Sequence, residues 1–349
     1  MMKLLKFLLT YKFRIQKLQQ KKGGFTLLEL LVGLVLAFLV ITPLLGFMIN
    51  IMTSDRQEQA KASSEQEIQT ALDYIGRDLA QAIFIYDGFG VSQISDQLPD
   101  PPAGTEGAPV LVFWKREYKP KVLNTNRDDA YVMSLVAYYL IKDTSCSTSP
   151  WSCTTRIGRV QLNDAVRDPN NPDPTALPPV PASDGFTAFN PPTPVGATAP
   201  PSFEAKMNSW TSGAGIDNNQ VETLIDFVDQ TTVANGAPIT LCSTEPRDAP
   251  RPDVTTPNPT AADLAAPYTY RQVPNYTDPA FPASLQTGSF YACVNTDKTL
   301  AQVFIRGNAS ARIKPKTNPP TYSASKSADF PKASIQVQGR GLIKEQPGS

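Results

Sequence analysis

The chain has 349 residues, with 32 basic and 32 acidic side chains and no histidine. This length allows one large domain or two small ones, and the 33 prolines indicate extensive irregular loops. Without histidine, the chain cannot form a Ser-His-Asp or Cys-His catalytic arrangement or supply a histidine ligand to a metal.

The even charge balance hides a strong asymmetry. Residues 1–24 contain seven basic side chains and no acidic one, so the rest of the chain has 25 basic against 32 acidic residues. A body with this acidic excess is a poor partner for nucleic acid, which favours a basic face. We therefore do not expect nucleic-acid binding.

A basic segment that ends in a glycine pair, Lys21-Lys22-Gly23-Gly24, is followed by an apolar run from Phe25 to about Met52. The run is long enough to cross a bilayer as a helix, and Glu29 is its one ionisable residue as far as Ile49. A carboxylate within such a segment costs roughly 2.5–3.5 kcal/mol at the bilayer centre, so it indicates a function and a partner. The alternative is a plain signal anchor with a chance acidic residue.

The order of basic leader, Gly24, Phe25 and Glu29 resembles the processing site of type IV prepilins and type II secretion pseudopilins. The resemblance implies cleavage between Gly24 and Phe25 by a prepilin peptidase and N-methylation of Phe25. It implies that Glu29 acts in assembly, where it pairs with the cationic amine of a neighbouring subunit. The expected partners are other pilin or pseudopilin subunits, the peptidase and an inner-membrane assembly platform.

These features predict the placement of each segment relative to the membrane. Residues 1–24 are a leader that is removed, and their basic charge keeps them cytoplasmic. Before removal the leader could form a short amphipathic helix, or it could be an upstream start with little role. Residues 25–52 form a single transmembrane and assembly helix in the inner membrane, and the body lies in the periplasm.

The helix is predicted to continue beyond the membrane. Pro43 should kink its membrane half, either passively or as a site of melting during assembly. Residues 53–87 form the amphipathic half, because the apolar residues Ile68, Leu72, Ile75, Leu79, Ile83 and Tyr86 share one helical face. Asp87-Gly88 is expected to end the helix, and a break near Ser54 into two helices is the alternative.

Residues 88–349 are predicted to be a β-rich body. Alternating apolar residues indicate strands at Val110–Trp114, Tyr131–Ile141, Arg156–Leu162, Val221–Val228, Ile239–Cys242, Gly288–Val294, Leu300–Ile305 and Phe330–Ile343. Pro-rich inserts at 163–201 and 246–282 are interpreted as long surface loops. The fold class is therefore α+β: the pilin-like lollipop, a long N-terminal helix packed on one antiparallel sheet.

The four cysteines are predicted to form two disulfides, Cys146 with Cys153 and Cys242 with Cys293, because of their proximity in sequence. A zinc site is the alternative, but the spacings are wrong and there is no histidine. Acidic pairs such as Asp128-Asp129 lack the ordered spacing of a calcium loop. We expect no cofactor, no metal and no enzymatic activity.

The size of the chain favours a minor subunit of a pilus or pseudopilus. Four segments resemble minor pilins of the W type and pseudopilins of the J type: Leu79–Tyr86, Tyr138-Tyr139, Thr223–Val228 and Gly339-Arg340-Gly341. The Pro-rich inserts resemble those of a pseudopilin in the cyanobacterial hormogonium polysaccharide secretion system, which implies polysaccharide secretion and gliding motility. The alternative functions are adhesion or DNA uptake by a minor pilin.

Overall fold

The computed structural model describes residues 24–123, 127–168, 170, 178–188, 203–216, 221–242, 272–313 and 319–340. The chain divides into two compact units, Met1–Asp55 and Arg56–Ser349. In chain order the elements are α1 (Leu27–Leu79), β1 (Ala82–Ile85), α2 (Gly88–Ile94), β2 (Thr105–Leu123), β3 (Asp128–Asp143), β4 (Thr155–Asn163), α3 (Phe203–Asn208), β5 (Glu222–Val228), β6 (Gln272–Val273), β7 (Phe290–Asn295), β8 (Leu300–Arg306), α4 (Ala309–Ile313) and β9 (Lys332–Gln338). Short 3-10 turns lie at Ser95–Gln97, Val233–Asn235, Ala283–Leu285 and Ala324–Asp329.

A long N-terminal helix is thus followed by antiparallel sheets, which confirms the predicted α+β class. The C-terminal part of α1 buries one face, on which Ile68, Leu72, Ile75 and Leu79 recur every three or four residues. A Cβ atom at Gly76 would lie 2.8 Å from Ile335 Cδ1, so glycine lets the helix pack closely on β9.

The body contains two antiparallel sheets, and the expectation of one sheet is wrong. The first has the strand order β1-β2-β3-β4-β5, and the second has the order β6-β7-β8-β9. They are linked where the Asp229 N–H donates to the Arg306 carbonyl at 3.0 Å and the Asn308 N–H donates to the Phe227 carbonyl at 2.8 Å. Alternation of apolar residues identifies strands, but it does not say which strands share a sheet.

Most predicted strands are confirmed, but their bounds differ, most of all for β2, which runs over Thr105–Leu123 instead of the predicted Val110–Trp114. The expected hairpin is present, since β3 and β4 pair from Ser134↔Asn163 to Lys142↔Thr155. The strand predicted at Ile239–Cys242 is wrong, because this segment has no ladder partner. It is held instead by a hydrogen bond from the Thr240 N–H to Tyr291 Oη at 2.8 Å and by the disulfide of Cys242.

The predicted end of the long helix is wrong. Helix α1 continues through Ser54, so the alternative of two helices is wrong as well, but it ends at Leu79 instead of Tyr86. Residues Ala82–Ile85 form β1 and are all buried, and a short apolar run of this kind fits either a buried strand or a helical face. Asp87 starts a helix instead of ending one, because its carboxylate accepts from the Gly90 N–H at 2.8 Å as the N-cap of α2.

The first insert, predicted as a surface loop, packs on the first sheet through Phe186, and the chain that follows the insert does so through Met207 and Trp210. Phe186 and Trp210 each pack edge-on against Trp114 of β2, with ring centroids 5.8 Å apart. Trp210 and Met207 are buried, so this part of the chain covers the face of the first sheet that carries Trp114. Residues 169, 171–177 and 189–201 of this insert, like residues 246–271 of the second, lie outside the described residues.

A buried carboxylate joins α1 to three strands of the first sheet. Asp78 accepts hydrogen bonds from Lys115 Nζ at 2.8 Å, Tyr138 Oη at 2.7 Å and Arg159 Nε at 2.9 Å. Burial alone would raise the pKa of Asp78, but the charges of Lys115 and Arg159 hold this pKa below the usual 3.8. The cluster therefore requires an ionised Asp78.

We predict that Asp78→Ala lowers the free energy of unfolding by about 3–5 kcal/mol, because it leaves Lys115 buried without its counter-charge. Denaturant unfolding of the full-length protein in detergent micelles measures this. Asp73→Ala is the matched control, since Asp73 is an exposed carboxylate on the same helix. Equal effects of the two substitutions would contradict the role of Asp78.

The Asp78 contribution should also depend on pH. A carboxyl group with a lowered pKa stabilises the folded state fully above its unfolded value of 3.8, and this stabilisation is lost as pH falls through the folded value. The difference in unfolding free energy between wild type and Asp78→Ala should therefore be constant at neutral pH and shrink in acid. A difference that grows in acid would contradict this assignment.

Candidate functional site

The predicted cleavage site lies in extended chain immediately before α1. Gly24, Phe25 and Thr26 precede the helix, which begins at Leu27. Phe25 is 80% exposed, and no atom lies within 4 Å of a Cβ built on Gly24. The bond between Gly24 and Phe25 is therefore accessible to a peptidase in the described part of the chain.

Thr26 caps the helix directly after this bond. Its Oγ1 accepts a hydrogen bond from the Glu29 N–H at 3.3 Å, and its carbonyl accepts from the Leu30 N–H at 3.1 Å. Thr26 and Glu29 have the Thr-x-x-Glu spacing of a capping box. Sequence reasoning missed Thr26 as a site residue, although this spacing was its signal.

Glu29 lies in the first turn of α1 and is exposed. The partial positive charge at a helix N-terminus favours a carboxylate in this turn, which accounts for its tolerance at this end of an apolar segment. Glu29 has no ion-pair partner among the described residues.

The helix from Leu27 to Met52 exposes its apolar side chains all round. Exposed large side chains include Leu28, Leu31, Val35, Phe38, Ile41, Leu45, Phe47 and Ile51. Helix α1 is long and apolar enough to span a membrane. A helix that is apolar on every face requires an apolar environment, either lipid or other helices.

Two threonine hydroxyl groups, one inside this segment and one directly after it, are bonded to the helix itself. Thr42 Oγ1 donates to the Phe38 carbonyl at 2.7 Å, and Thr53 Oγ1 donates to the Ile49 carbonyl at 2.8 Å. A hydroxyl group that is hydrogen-bonded in this way has a low free-energy cost in an apolar medium. Pro43 lies inside α1, which continues through it, and its role as a kink stays a prediction.

All four cysteines are paired in the structure, and the body contains both disulfides. Cys146 is bonded to Cys153, which closes the connection between β3 and β4. Cys242 is bonded to Cys293 on β7. These are the pairs expected from the sequence, and within the described residues no cluster of three metal-ligating side chains occurs.

The comparisons with known proteins find one similarity, and it falls on this segment. Residues 19–45 match the family model described as the prokaryotic N-terminal methylation motif. The N-terminal segment therefore carries the motif of type IV prepilins and pseudopilins. No curated protein and no solved structure matches it.

The motif and the apolar helix fit a single-pass anchor in the inner membrane. The motif implies processing by a prepilin peptidase and pilin-like partners in general. The match ends at residue 45, so it carries no information about the two-sheet body.

We predict that the mature chain begins at a methylated Phe25. Mass analysis of the N-terminal peptide from native membranes measures both cleavage and methylation. Gly24→Ala should block cutting, whereas Gly33→Ala, a matched change in the adjacent helix, should not. A mature chain that retains residues 1–24 would contradict the prediction.

We predict that Cys146–Cys153 and Cys242–Cys293 form in protein from cells. Peptide mapping without reductant should recover both linked peptide pairs, and reduction should separate them. Free thiols at all four positions in protein recovered from native membranes would contradict the pairing.

Proposed function

We propose that this chain is a minor subunit of a type IV pilus-like or type II secretion-like filament that supports polysaccharide secretion and gliding motility. After cleavage, the apolar part of α1 anchors the subunit in the inner membrane and then enters the filament. The body lies in the periplasm. The role is structural and not enzymatic.

The observation that carries the proposal is the single carboxylate of the exposed apolar segment. Glu29 is the one ionisable residue between Phe25 and Ile49 and has no ion-pair partner among the described residues. Opposite charges attract strongly in an apolar medium, so the amine freed at Phe25 of a neighbouring subunit is a suitable partner. A charge pair of this kind sets the register between adjacent helices.

Features of the body support a minor subunit with a periplasmic location. The described body has two sheets, and Phe186 of the first insert packs against Trp114 of β2, so the body is large for a shaft subunit. Both disulfides lie in this body, and disulfides persist in oxidising compartments such as the periplasm. The segments that resemble W-type and J-type subunits include Tyr138, whose hydroxyl group binds Asp78 at the end of α1.

Polysaccharide secretion is preferred over DNA uptake on the basis of charge. The chain after Gly24 has 25 basic and 32 acidic residues, whereas binding of DNA depends on neutralising phosphates with lysine and arginine. The resemblance of the Pro-rich inserts to those of a polysaccharide secretion pseudopilin points the same way. Adhesion through the body is the alternative function.

We predict that Glu29→Ala preserves membrane insertion, cleavage and the stability of the body but abolishes incorporation into the filament. Its partner lies on another subunit, so folding of this chain does not depend on it. Co-purification with other pilin-like subunits, together with assays of polysaccharide export and motility, measures the effect.

Asp55→Ala is the matched control, since it removes a carboxylate just beyond the apolar run and should leave assembly unchanged. Normal assembly and export by Glu29→Ala would show that the charge pair is dispensable and would favour a plain hydrophobic anchor. Normal filament assembly in a strain that lacks this chain, with export and motility intact, would contradict the proposed function as a whole.

A further inference from the structure

The second sheet carries a groove on one face. It consists of two adjoining cavities of about 490 and 230 Å³ that share Thr240 and Phe304, and we call it the sheet-2 groove. The larger cavity falls within the range of roughly 300–1,000 Å³ that is typical of small-ligand sites. Its floor consists of side chains from β7, β8 and β9, and residues 238–242 form one wall.

The register of the strands explains the composition of the floor. One row across β7, β8 and β9 consists of Tyr291, Phe304 and Ser334. The next row on the same face consists of Cys293, Gln302 and Gln336. Residues two apart along a strand lie on the same face about 7 Å apart, and opposite residues lie about 5 Å apart. The alternate residues Ala333, Ile335 and Val337 of β9 pack against the core instead.

The wall of the groove is fixed at three points. Arg306 Nη1 donates to the Pro238 carbonyl at 2.7 Å, the Thr240 N–H donates to Tyr291 Oη at 2.8 Å, and Cys242 is bonded to Cys293. Arg306 is itself buried and held by Asp229 Oδ2 at 2.9 Å. A segment that is held at both ends and in the middle forms a preformed wall, which reduces the entropy lost on binding.

A pair of stacked aromatic rings forms the centre of the floor. The rings of Tyr291 and Phe304 are nearly parallel, at 5°, with centroids 4.6 Å apart. Tyr291 is buried and its hydroxyl group is bonded to the wall, so it fixes the position of the partly exposed Phe304. Phe304 is therefore a fixed aromatic platform in the groove.

The lining around this platform combines apolar residues, among them Ile239, Leu241 and Leu300, with a set of hydrogen-bonding side chains. Ser334, Gln336 and Lys332 are exposed along β9, Gln302 is partly exposed on β8, and Lys298 is exposed at the end of the smaller cavity. No aspartate or glutamate occurs among the described residues that line either cavity. This is notable on a body with an excess of acidic residues.

We infer that the sheet-2 groove binds an oligosaccharide segment of a glycan chain. One face of a hexose ring presents C–H groups that pack on an aromatic ring, while its rim of hydroxyl groups needs both donors and acceptors. The amides of Gln302 and Gln336 and the Ser334 hydroxyl supply both, and Lys332 and Lys298 supply donors. Their arrangement around one fixed ring matches a sugar better than a purely apolar ligand.

A single-stranded nucleic acid fits less well. Such sites combine several stacking rings with a basic track that follows the phosphates. The groove has one platform, and its only exposed cations among the described lining residues are Lys332 and Lys298. The inference rests on the proposed function for the source of the glycan, the secreted polysaccharide, whereas binding itself can be measured without secretion.

The experiment is calorimetric titration of the full-length protein in a detergent without a sugar headgroup. The probes are cellohexaose, maltohexaose and a hexamer of a uronic acid, with a short single-stranded deoxyoligonucleotide for comparison. We expect binding of at least one oligosaccharide. Phe304→Leu should weaken it about tenfold, because the stacking platform is lost while apolar volume is kept, and Gln336→Ala should weaken it several-fold.

Two matched variants test whether these effects are local. Tyr118→Leu changes an exposed aromatic residue on β2, and Gln66→Ala changes an exposed glutamine of α1 outside both cavities; both should leave affinity unchanged. No binding of any oligosaccharide at millimolar concentration, unchanged affinity in Phe304→Leu, or preference for the oligonucleotide would overturn the inference. Phe304→Leu should still assemble into filaments, so failure of the groove is distinct from failure of the proposed function.

Discussion

The body depends on the buried carboxylate of Asp78. It lies on the last turn of α1 and accepts hydrogen bonds from residues of β2, β3 and β4, so one group fixes the helix against three strands. Its neighbours carry two positive charges, and a side chain without charge at position 78 would leave them buried and uncompensated. Asp78 also lies close to the start of β1, because the first residue of β1, Ala82, pairs with Lys115 of β2, the lysine that binds Asp78.

The C-terminal part of α1 buries a charged group, whereas its N-terminal part exposes apolar ones. There the helix exposes large apolar side chains on every face, and its one carboxylate lies at the first turn. Both features suit the proposed transfer of this segment from lipid into a bundle of similar helices. Because Thr26 caps the helix, the helix begins two residues after the proposed cleavage site, and cleavage does not require the helix to unwind.

The sequence was most informative where chemistry is local. Gly24, Phe25 and Glu29 were found from a short motif, the long helix from its apolar run and spacing, and the cysteine pairs from proximity. The sequence did not predict contacts between distant residues. The division of the strands between two sheets depends on such contacts, for example that of Asp229 with Arg306, and the periodicity of apolar residues does not reveal them. The run Ala82–Ile85 was assigned to the helix because its apolar residues fit a helical face as well as a buried strand.

The sheet-2 groove was hidden from sequence reasoning for the same reason. Phe304, Gln302 and Gln336 become neighbours only through strand register, and the segment predicted as a strand at Ile239–Cys242 forms part of the wall instead. Prolines, too, were an incomplete guide, because they marked irregular chain correctly but not the aromatic contacts of Phe186 and Trp210 in the core.

The central claim is that the apolar segment of α1 leaves the lipid to pack against other prepilin-derived helices. A photo-crosslinking residue in place of Val32, one turn beyond Glu29, tests this directly in native membranes. The account predicts crosslinked adducts with other proteins that carry the same N-terminal motif, and their loss in a strain that cannot assemble filaments. Crosslinks to lipid alone in assembling cells would contradict it.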